Sequence, residues 1–246
     1  CLTTVNPIAA ARLMAFPVPI RDARTPIASA PPASGYGDPA RIHHWVVENF
    51  EHVRSAVSSA EDLQQLARLR QWVEQERVRL DALLRSRKRD GFIRECHGDL
   101  HLGNLTLIDG VVTLFDCIEF NPELRWIDVM SEVAFLIMDL QERGYAGFAN
   151  RFLNGYLQHT GDYEGIGVLP YYLVYRAAVR AKVAVLRAQQ AAPASPADQK
   201  RQAWYSQSSR LIAATSGNCA SWRRKAWAES ARAGCLATRS STANQT

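Results

Sequence analysis

The chain has 246 residues, a formal net charge of +5, 47% hydrophobic residues and 22% charged residues. This length allows one large domain or two small ones, and the composition is that of a globular protein and excludes a membrane-spanning one. Because no segment reaches the roughly 18 to 20 apolar residues of a spanning helix and none resembles a signal peptide, the sequence predicts a cytoplasmic protein.

Cysteine and arginine usage excludes two further kinds of protein. The five cysteines are odd in number and form no CxxC pair, which argues against a disulfide framework and against a zinc site. The arginines are scattered along the chain instead of alternating with aromatic residues, as a nucleic-acid-binding face requires. We therefore expect free thiols and no nucleic-acid partner.

The chain divides into three parts by composition. Residues 1–34 contain six of the eleven prolines in an Ala/Ser-rich setting, which is typical of an arm or linker. Residues 35–216 show regular periodicity and form the predicted domain. Residues 217–246 show neither a helical nor a strand period, so we expect a disordered or aberrant tail.

Apolar residues at helical spacing predict six main helices. The second is expected to end in the basic run RSRKRD as a solvated helix end. The helix at Leu169 carries aromatic and small apolar residues over much of its surface, which indicates a buried, central position. The predicted helices cover residues 38–58, 59–87, 126–140, 142–159, 169–190 and 196–215.

Between the second and third helices the pattern is that of short strands. Residues 92–96 form one strand, and residues 105–108 and 111–115 form a hairpin joined by Asp109-Gly110. Two β-rich runs separated by Asp-Gly are a strong signal for a two-residue turn, so Asp109 is interpreted as structural. The register pairs Ile108 with Val111 and, at the open end, Asn104 with Phe115.

This register predicts a cluster of oxygen ligands at the open end of the hairpin. Asn104 lies across from the residue before Asp116, and Asp99 precedes Asn104 by five residues. Opposed residues are about 4.5 to 5.5 Å apart. Carboxylate and amide oxygens suit Mg²⁺, which takes one or two carboxylates together with substrate phosphates.

The sequence of this segment resembles that of a known family. His97-Gly98-Asp99, followed by Asn104 and Asp116, resembles the catalytic loop and metal-binding aspartate of the protein-kinase-like superfamily. HGDLHLGNL is closer to its aminoglycoside phosphotransferase and choline kinase branch. The continuation LFDCIEFNPELRWIDVMSEVAFLIMDL resembles a bacterial group in which this domain precedes a P-loop kinase domain. The resemblance implies an α+β, mostly α-helical fold: a kinase-like C-terminal lobe whose short hairpin carries the catalytic loop.

The resemblance also implies roles for individual residues. Asp99 would be the catalytic base toward a small hydroxylated substrate, and His97 would brace the loop through its backbone. Asn104 and Asp116 would hold Mg²⁺ on ATP or another nucleoside triphosphate. Asp128 would tie down the loop from the start of a helix. Packing is the favoured interpretation of His101, while Glu119 is left open between a supporting partner of the site and a surface carboxylate.

Two parts that such an enzyme needs are not found in the sequence. None of the four lysines (Lys88, Lys182, Lys200, Lys225) lies on a strand upstream of the loop, and no GxxxxGK[ST] motif occurs. The sequence thus predicts a fragment that lacks its nucleotide-clamping N-terminal lobe and any P-loop partner domain, with little activity in isolation.

The sequence leaves three further questions open. The acid-rich residues 116–164 suit either a cationic substrate or, more simply, a solvated surface. A degenerate, non-catalytic binding module is an alternative to the enzyme, although Asp99, Asn104 and Asp116 all keep their chemical identity. A metal-dependent phosphohydrolase is less favoured, because it needs several His and Asp ligands from multiple loops.

Overall fold

The computed structural model describes residues 29–31, 34–57, 59–109 and 111–190. The predicted helix at 196–215 and the predicted tail at 217–246 lie outside these residues. The elements in chain order are α1 (Pro39–Ala56), α2 (Ala60–Arg89), β1 (Ile93–Glu95), β2 (Leu105–Ile108), β3 (Val111–Leu114), α3 (Pro122–Arg125), β4 (Trp126–Asp128), α4 (Val129–Glu142), α5 (Ala146–Thr160) and α6 (Leu169–Gln190). The fold is α+β and mostly helical, as predicted. Within the described ranges, no helix is both long and apolar enough to cross a bilayer.

Helices α1 and α2 form where the periodicity places them. Val46, Phe50 and Val53 are buried along one side of α1, as the pattern predicts. Ser59 caps α2 by accepting a hydrogen bond from the Asp62 backbone N–H at 3.2 Å, which satisfies one of the free donors at the helix start.

The basic end of α2 is solvated at Arg85 and Arg89, as predicted, but the prediction is wrong for Arg87. Arg87 is 1% exposed and donates hydrogen bonds to Asp128 and Asp162, both buried. Tyr172 of α6 also donates to Asp128, at 3.2 Å. The arginine therefore joins α2 to the start of α4 and to the loop before α6.

Helix α4 is the centre of the molecule. Every residue from 129 to 140 is buried, and the helix packs against α5 on one side and α6 on the other, while α1 packs against α6 and α2. The expected burial of α6 is confirmed at Tyr171, Tyr172 and Ala178, but Val183, nearer its end, is 37% exposed.

The predicted helix at residues 126–140 begins three residues later. Residues 126–128 form β4, which pairs antiparallel with β1 and sets Ile93 opposite Asp128. Trp126 and Ile127 favour strands, and Asp128 caps α4 by accepting from the Met130 N–H at 2.9 Å. Likewise the helix predicted over 142–159 begins only at Ala146, because Gly144 with φ of +82° ends the preceding turn.

The hairpin register is confirmed at every pair. Ile108 lies opposite Val111 and Leu105 opposite Leu114, and the Phe115 N–H donates to the Asn104 carbonyl at 3.2 Å. Asp109 has φ of +51°, as the first position of a type I′ turn requires. Gly110 lies outside the described residues.

The described residues before α1 contact this framework. The Ala30 N–H donates to the Ile93 carbonyl at 2.8 Å, and Lys88 Nζ lies 2.7 Å from Asp38 Oδ1. These contacts place residues next to the predicted domain start at 35 along the edge of β1.

Candidate active site

His97 connects the loop of residues 97–104, called here the 97–104 loop, to the hairpin. Its Nε2 donates to the Phe115 carbonyl at 2.8 Å, and its Nδ1 accepts from the Asp99 N–H at 3.3 Å. Because one ring nitrogen accepts, the other carries the proton, so these contacts select the neutral Nε2–H tautomer. His97 therefore links the backbone at Asp99 to the residue before Asp116.

Asp99 uses its two carboxylate oxygens differently. Oδ2 accepts from Asn104 Nδ2 at 3.1 Å and lies 3.3 Å from His101 Nε2. His101 Nδ1 accepts from the Gly103 N–H at 3.0 Å, so its Nε2 is the protonated nitrogen and faces Asp99 as a donor. Within the described part of the chain, Oδ1 has no partner, which leaves it as the oxygen that can accept from a ligand.

These contacts also set the charge of Asp99. Burial acts to raise the pKa of Asp99, but the hydrogen bonds from His101 and the Asn104 amide and the charge of the Arg176 guanidinium outweigh it and hold the pKa below its ordinary value. Asp99 is thus ionised at neutral pH. The ring of His101 packs edge-on against Phe135, as expected, with 5.6 Å between centroids. In addition, its Nε2 faces the Asp99 carboxylate.

Asn104 and Asp116 lie on either side of the open end of the hairpin. The Asn104 Nδ2 donates to Asp99 twice, to its carbonyl at 3.0 Å and to Oδ2 at 3.1 Å. No residue that the structure describes donates to the amide oxygen, which can therefore bind a cation. Asp116 is exposed and has φ of +62°, a left-handed conformation that is uncommon for a residue with a side chain.

This donor set suits Mg²⁺ in kind. It consists of one carboxylate and one amide oxygen, both hard ligands, and an ion held by so few protein groups takes its remaining ligands from phosphates and water. In the ranges that the structure describes, no group of three or more His, Cys, Asp or Glu residues could hold a metal alone.

Two buried acids that the sequence analysis did not single out accept hydrogen bonds from the backbone of the 97–104 loop. Glu132 accepts from the Gly98 N–H with both oxygens, at 3.1 and 3.2 Å, and Asp139 accepts from the Leu102 N–H at 2.9 Å. Burial raises the pKa of Glu132 to about 7, against the lowering effects of Arg176 and of the loop N–H groups. Both acids lie on α4.

Asp128 does not have the role expected of it. Its carboxylate accepts from Arg87, from Tyr172 and from the N–H of Met130, so it caps α4 and pairs with α2 instead of holding the loop. Glu132 lies one turn further along the same helix and contacts the loop directly. Sequence pattern could suggest an acid near this helix start but not which turn faces the loop.

The acid-rich segment is only in part a solvated surface, since four of its nine acids are buried. Its acids at four positions are buried and hydrogen-bonded to the protein: Asp128, Glu132, Asp139 and Asp162. Glu119 is exposed and makes no hydrogen bond or ion pair with any residue that the structure describes, which favours the surface interpretation.

Comparisons with known proteins agree with this geometry. A family model described as "Phosphotransferase enzyme family" matches residues 24–169, more than half of the chain. Uncharacterized proteins of Mycobacterium bovis and of two strains of Mycobacterium tuberculosis are 39% identical to the chain over 121 residues. That stretch is 49% of this chain but only 24% of each relative, so the match spans about a quarter of their length. No solved structure gives a significant match.

Proposed function

The chain belongs to the phosphotransferase enzyme family, and on that premise we propose that it carries the catalytic loop of an ATP-dependent kinase acting on the hydroxyl group of a small molecule. The observation that carries the proposal is the asymmetry of Asp99. One oxygen is held by Asn104 and faces His101, while the other has no partner among the described residues. A catalytic base needs this combination of fixed orientation and one available oxygen.

Asp99 acts on the acceptor. Its Oδ1 accepts a hydrogen bond from the acceptor hydroxyl, aims that oxygen at the phosphorus and takes the proton as the new O–P bond forms and the bond to the nucleotide diphosphate breaks. The low pKa of Asp99 keeps it ionised for this step. Positioning supplies most of the rate in such transfers, since the protein has little covalent chemistry to perform.

Asn104 and Asp116 would hold Mg²⁺ through the amide oxygen and the carboxylate. When bound, the ion neutralises charge on the transferred phosphoryl group and on the diphosphate. His97 fixes the position of the 97–104 loop relative to the hairpin, because its ring contacts the backbone of both Asp99 and Phe115.

The nucleotide must also be gripped from the opposite side. We assign that task to a β-rich N-terminal lobe that is not among the described residues, and we propose a P-loop kinase domain as a further neighbour in the whole protein. Both assignments rest on the sequence resemblance, and the greater length of the relatives leaves room for them. Because the reaction draws on ATP, we place it in the cytoplasm.

The test uses the protein extended upstream of Cys1, incubated with ATP, Mg²⁺ and a panel of hydroxylated small molecules that includes aminoglycosides and sugars. We expect acceptor-dependent release of ADP and a new phosphomonoester signal in the ³¹P NMR spectrum. Neither nucleotide binding nor turnover in the extended protein would contradict the proposal.

Two other outcomes identify the alternatives. Phosphate release from a simple phosphomonoester with Mn²⁺ and no nucleotide would identify a phosphohydrolase. Full cellular function of an Asp99→Ala protein would identify a non-catalytic binding module.

A further inference from the structure

Two buried side chains of opposite charge hold the backbone on either side of Gly98. Glu132 of α4 accepts from the Gly98 N–H, and Arg176 of α6 donates from Nη1 to the Gly98 carbonyl at 3.0 Å. Gly98 has φ of +86°, and a Cβ atom there would lie 2.7 Å from the Leu124 carbonyl oxygen. The backbone at this point is therefore confined from three directions.

Arg176 is itself fixed in place. Its Nε donates to both the carbonyl and the hydroxyl oxygen of Ser131, each at 3.1 Å, and its guanidinium lies over the rings of Phe135 and Tyr175, at 4.9 and 5.3 Å from their centroids. The residue is 4% exposed. A guanidinium held in this way cannot move without disturbing the α4–α6 contact.

Stability alone does not explain an arginine at this position. Among the described residues, its Nη2 has no hydrogen-bond partner, and burying a charged group with an unused donor is costly. An apolar side chain of similar length would fill the same space without the unused donor, but it would lose the charge near Glu132 and the hydrogen bonds to Ser131 and Gly98. Of these, the hydrogen bond to Gly98 is the one that reaches the 97–104 loop.

That hydrogen bond acts on Asp99 through the peptide that joins the two residues. The carbonyl side of the Gly98–Asp99 peptide is held by Arg176, and its N–H side by His97 Nδ1 at 3.3 Å. Because a peptide group is planar, fixing both sides sets its orientation and hence the direction in which the Asp99 side chain leaves the backbone.

We propose that Arg176, acting with Glu132, is a positioning residue that sets the orientation of Asp99, so that helix α6 is a working part of the active site. The catalytic importance of that orientation rests on the proposed function, whereas the clamp on Gly98 does not.

The test measures amide hydrogen exchange, residue by residue, in the 246-residue chain. Arg176→Met keeps the length of the side chain and removes its hydrogen bonds. Arg176→Lys keeps the charge but cannot donate to Ser131 and Gly98 with the same planar group. Arg187→Met, an exposed position on the same helix, is the matched control.

We expect exchange at Gly98 and Asp99 to be about tenfold faster in Arg176→Met, the factor that one charged hydrogen bond supports. Exchange at Leu102, which Asp139 holds, should increase less than exchange at Gly98 and Asp99. The melting temperature should fall, because Arg176→Met leaves Glu132 buried without its nearby cation. Arg176→Lys should give an intermediate rate, and Arg187→Met the rate of the original chain.

Unchanged exchange at Gly98 and Asp99 in folded Arg176→Met would overturn the proposal, and so would a uniform increase across the chain. If the Met variant does not fold, the Lys variant decides, and exchange like that of the original chain at these two amides overturns the proposal. Since amide exchange needs neither nucleotide nor acceptor, a failed phosphorylation assay would not change this result.

Discussion

Asp116 combines an unfavourable backbone with a carboxylate that no described residue engages. Its φ of +62° costs a residue with a side chain about 1 kcal/mol or more. Strain of this kind persists where the surroundings impose it and where the side chain has a use. The preceding residue, Phe115, is fixed, because its N–H donates to the Asn104 carbonyl and its carbonyl accepts from His97.

Replacing Asp116 by glycine should therefore separate stability from metal binding. Glycine adopts positive φ freely, so we expect Asp116→Gly to unfold in urea at the same or a higher concentration, with a gain of up to about 1 kcal/mol. Binding of Mn²⁺, followed by paramagnetic broadening of resonances at the open end of the hairpin, should be lost.

Asp109→Gly is the control, because Asp109 also has positive φ but makes the turn at the other end of the hairpin. It should show the same stability trend and normal Mn²⁺ broadening. Equal broadening in both variants would contradict the assignment of Asp116 as a metal ligand.

His101 is expected to control the protonation of Asp99. In His101→Phe the ring can still pack against Phe135, but no donor faces Asp99 Oδ2. The pKa of Asp99 should rise, because the hydrogen bond from His101 is the largest effect that lowers it against burial. Titration of the ¹³C-labelled carboxyl group in metal-free buffer measures this, and an unchanged or lower pKa would contradict the assigned contact.

At the scale of elements, the hairpin was predictable because its information is local. Asp109-Gly110 and two short β-rich runs fix the turn and hence every pair. Strand β4 was not predictable in the same way. Its residues precede a long apolar helix without a break in hydrophobicity, and only pairing with β1, more than 30 residues earlier in the chain, makes them a strand.

The same distinction applies to the site. Asp99, Asn104 and Asp116 lie within one short segment, so spacing and motif identify them. Glu132, Asp139 and Arg176 contact the 97–104 loop across 34, 37 and 78 residues of sequence. No local pattern distinguishes such a buried charge from a solvated one, which is also why Arg87 was expected to be solvated with the rest of the basic end of α2.

Arg87 is the clearest buried charge with which to test the contacts between elements. Arg87→Leu leaves Asp128 and Asp162 buried without their cation, so we expect a loss of about 3 to 5 kcal/mol in the free energy of unfolding. Arg85→Leu is the control, since Arg85 is exposed on the same helix and, among the described residues, forms an ion pair only with Asp81 one turn away. Urea unfolding measures both, and equal effects would contradict the structural role of Arg87.

At the scale of the whole molecule, three helices meet at His43. The ring of His43 on α1 lies 3.3 Å from the Tyr171 hydroxyl of α6 and 3.1 Å from Glu74 Oε1 of α2. Burial lowers the pKa of His43, with the arginines Arg77 and Arg70 acting in the same direction and Glu74 opposing them. The folded protein thus favours the neutral ring.

This shift predicts a stability that depends on pH. Because the pKa of His43 is lower in the folded than in the unfolded chain, the unfolded chain binds more protons below its pKa of about 6.5. The contribution of His43 to stability should be constant above that pH and should fall as the pH decreases toward the folded pKa. Urea unfolding at pH 5 and 7.5 should show a smaller loss in His43→Gln than in the original chain.

His44→Gln, an exposed neighbour on α1, should keep the full loss at pH 5. A loss of the same size in His43→Gln would show that other groups cause it and would contradict the role of the contact among α1, α2 and α6.

The described residues hold the proposed phosphotransferase site on a framework of buried charges. Helix α4 supports the 97–104 loop through Glu132 and Asp139, α6 reaches it through Arg176, and the hairpin brings Asp116 to its edge. The central claim is that two of the three aspartates in this segment, Asp99 and Asp116, act in phosphoryl transfer, whereas Asp109 makes a turn.

The most direct measurement compares the same carboxylate-to-amide change at these three positions in the protein extended upstream of Cys1. With ATP, Mg²⁺ and an acceptor, Asp99→Asn and Asp116→Asn should each lower kcat by about 100-fold or more, the scale of a lost base or metal ligand. Asp109→Asn should keep full activity, because asparagine suits the same turn. Activity of Asp99→Asn equal to that of Asp109→Asn would contradict the account.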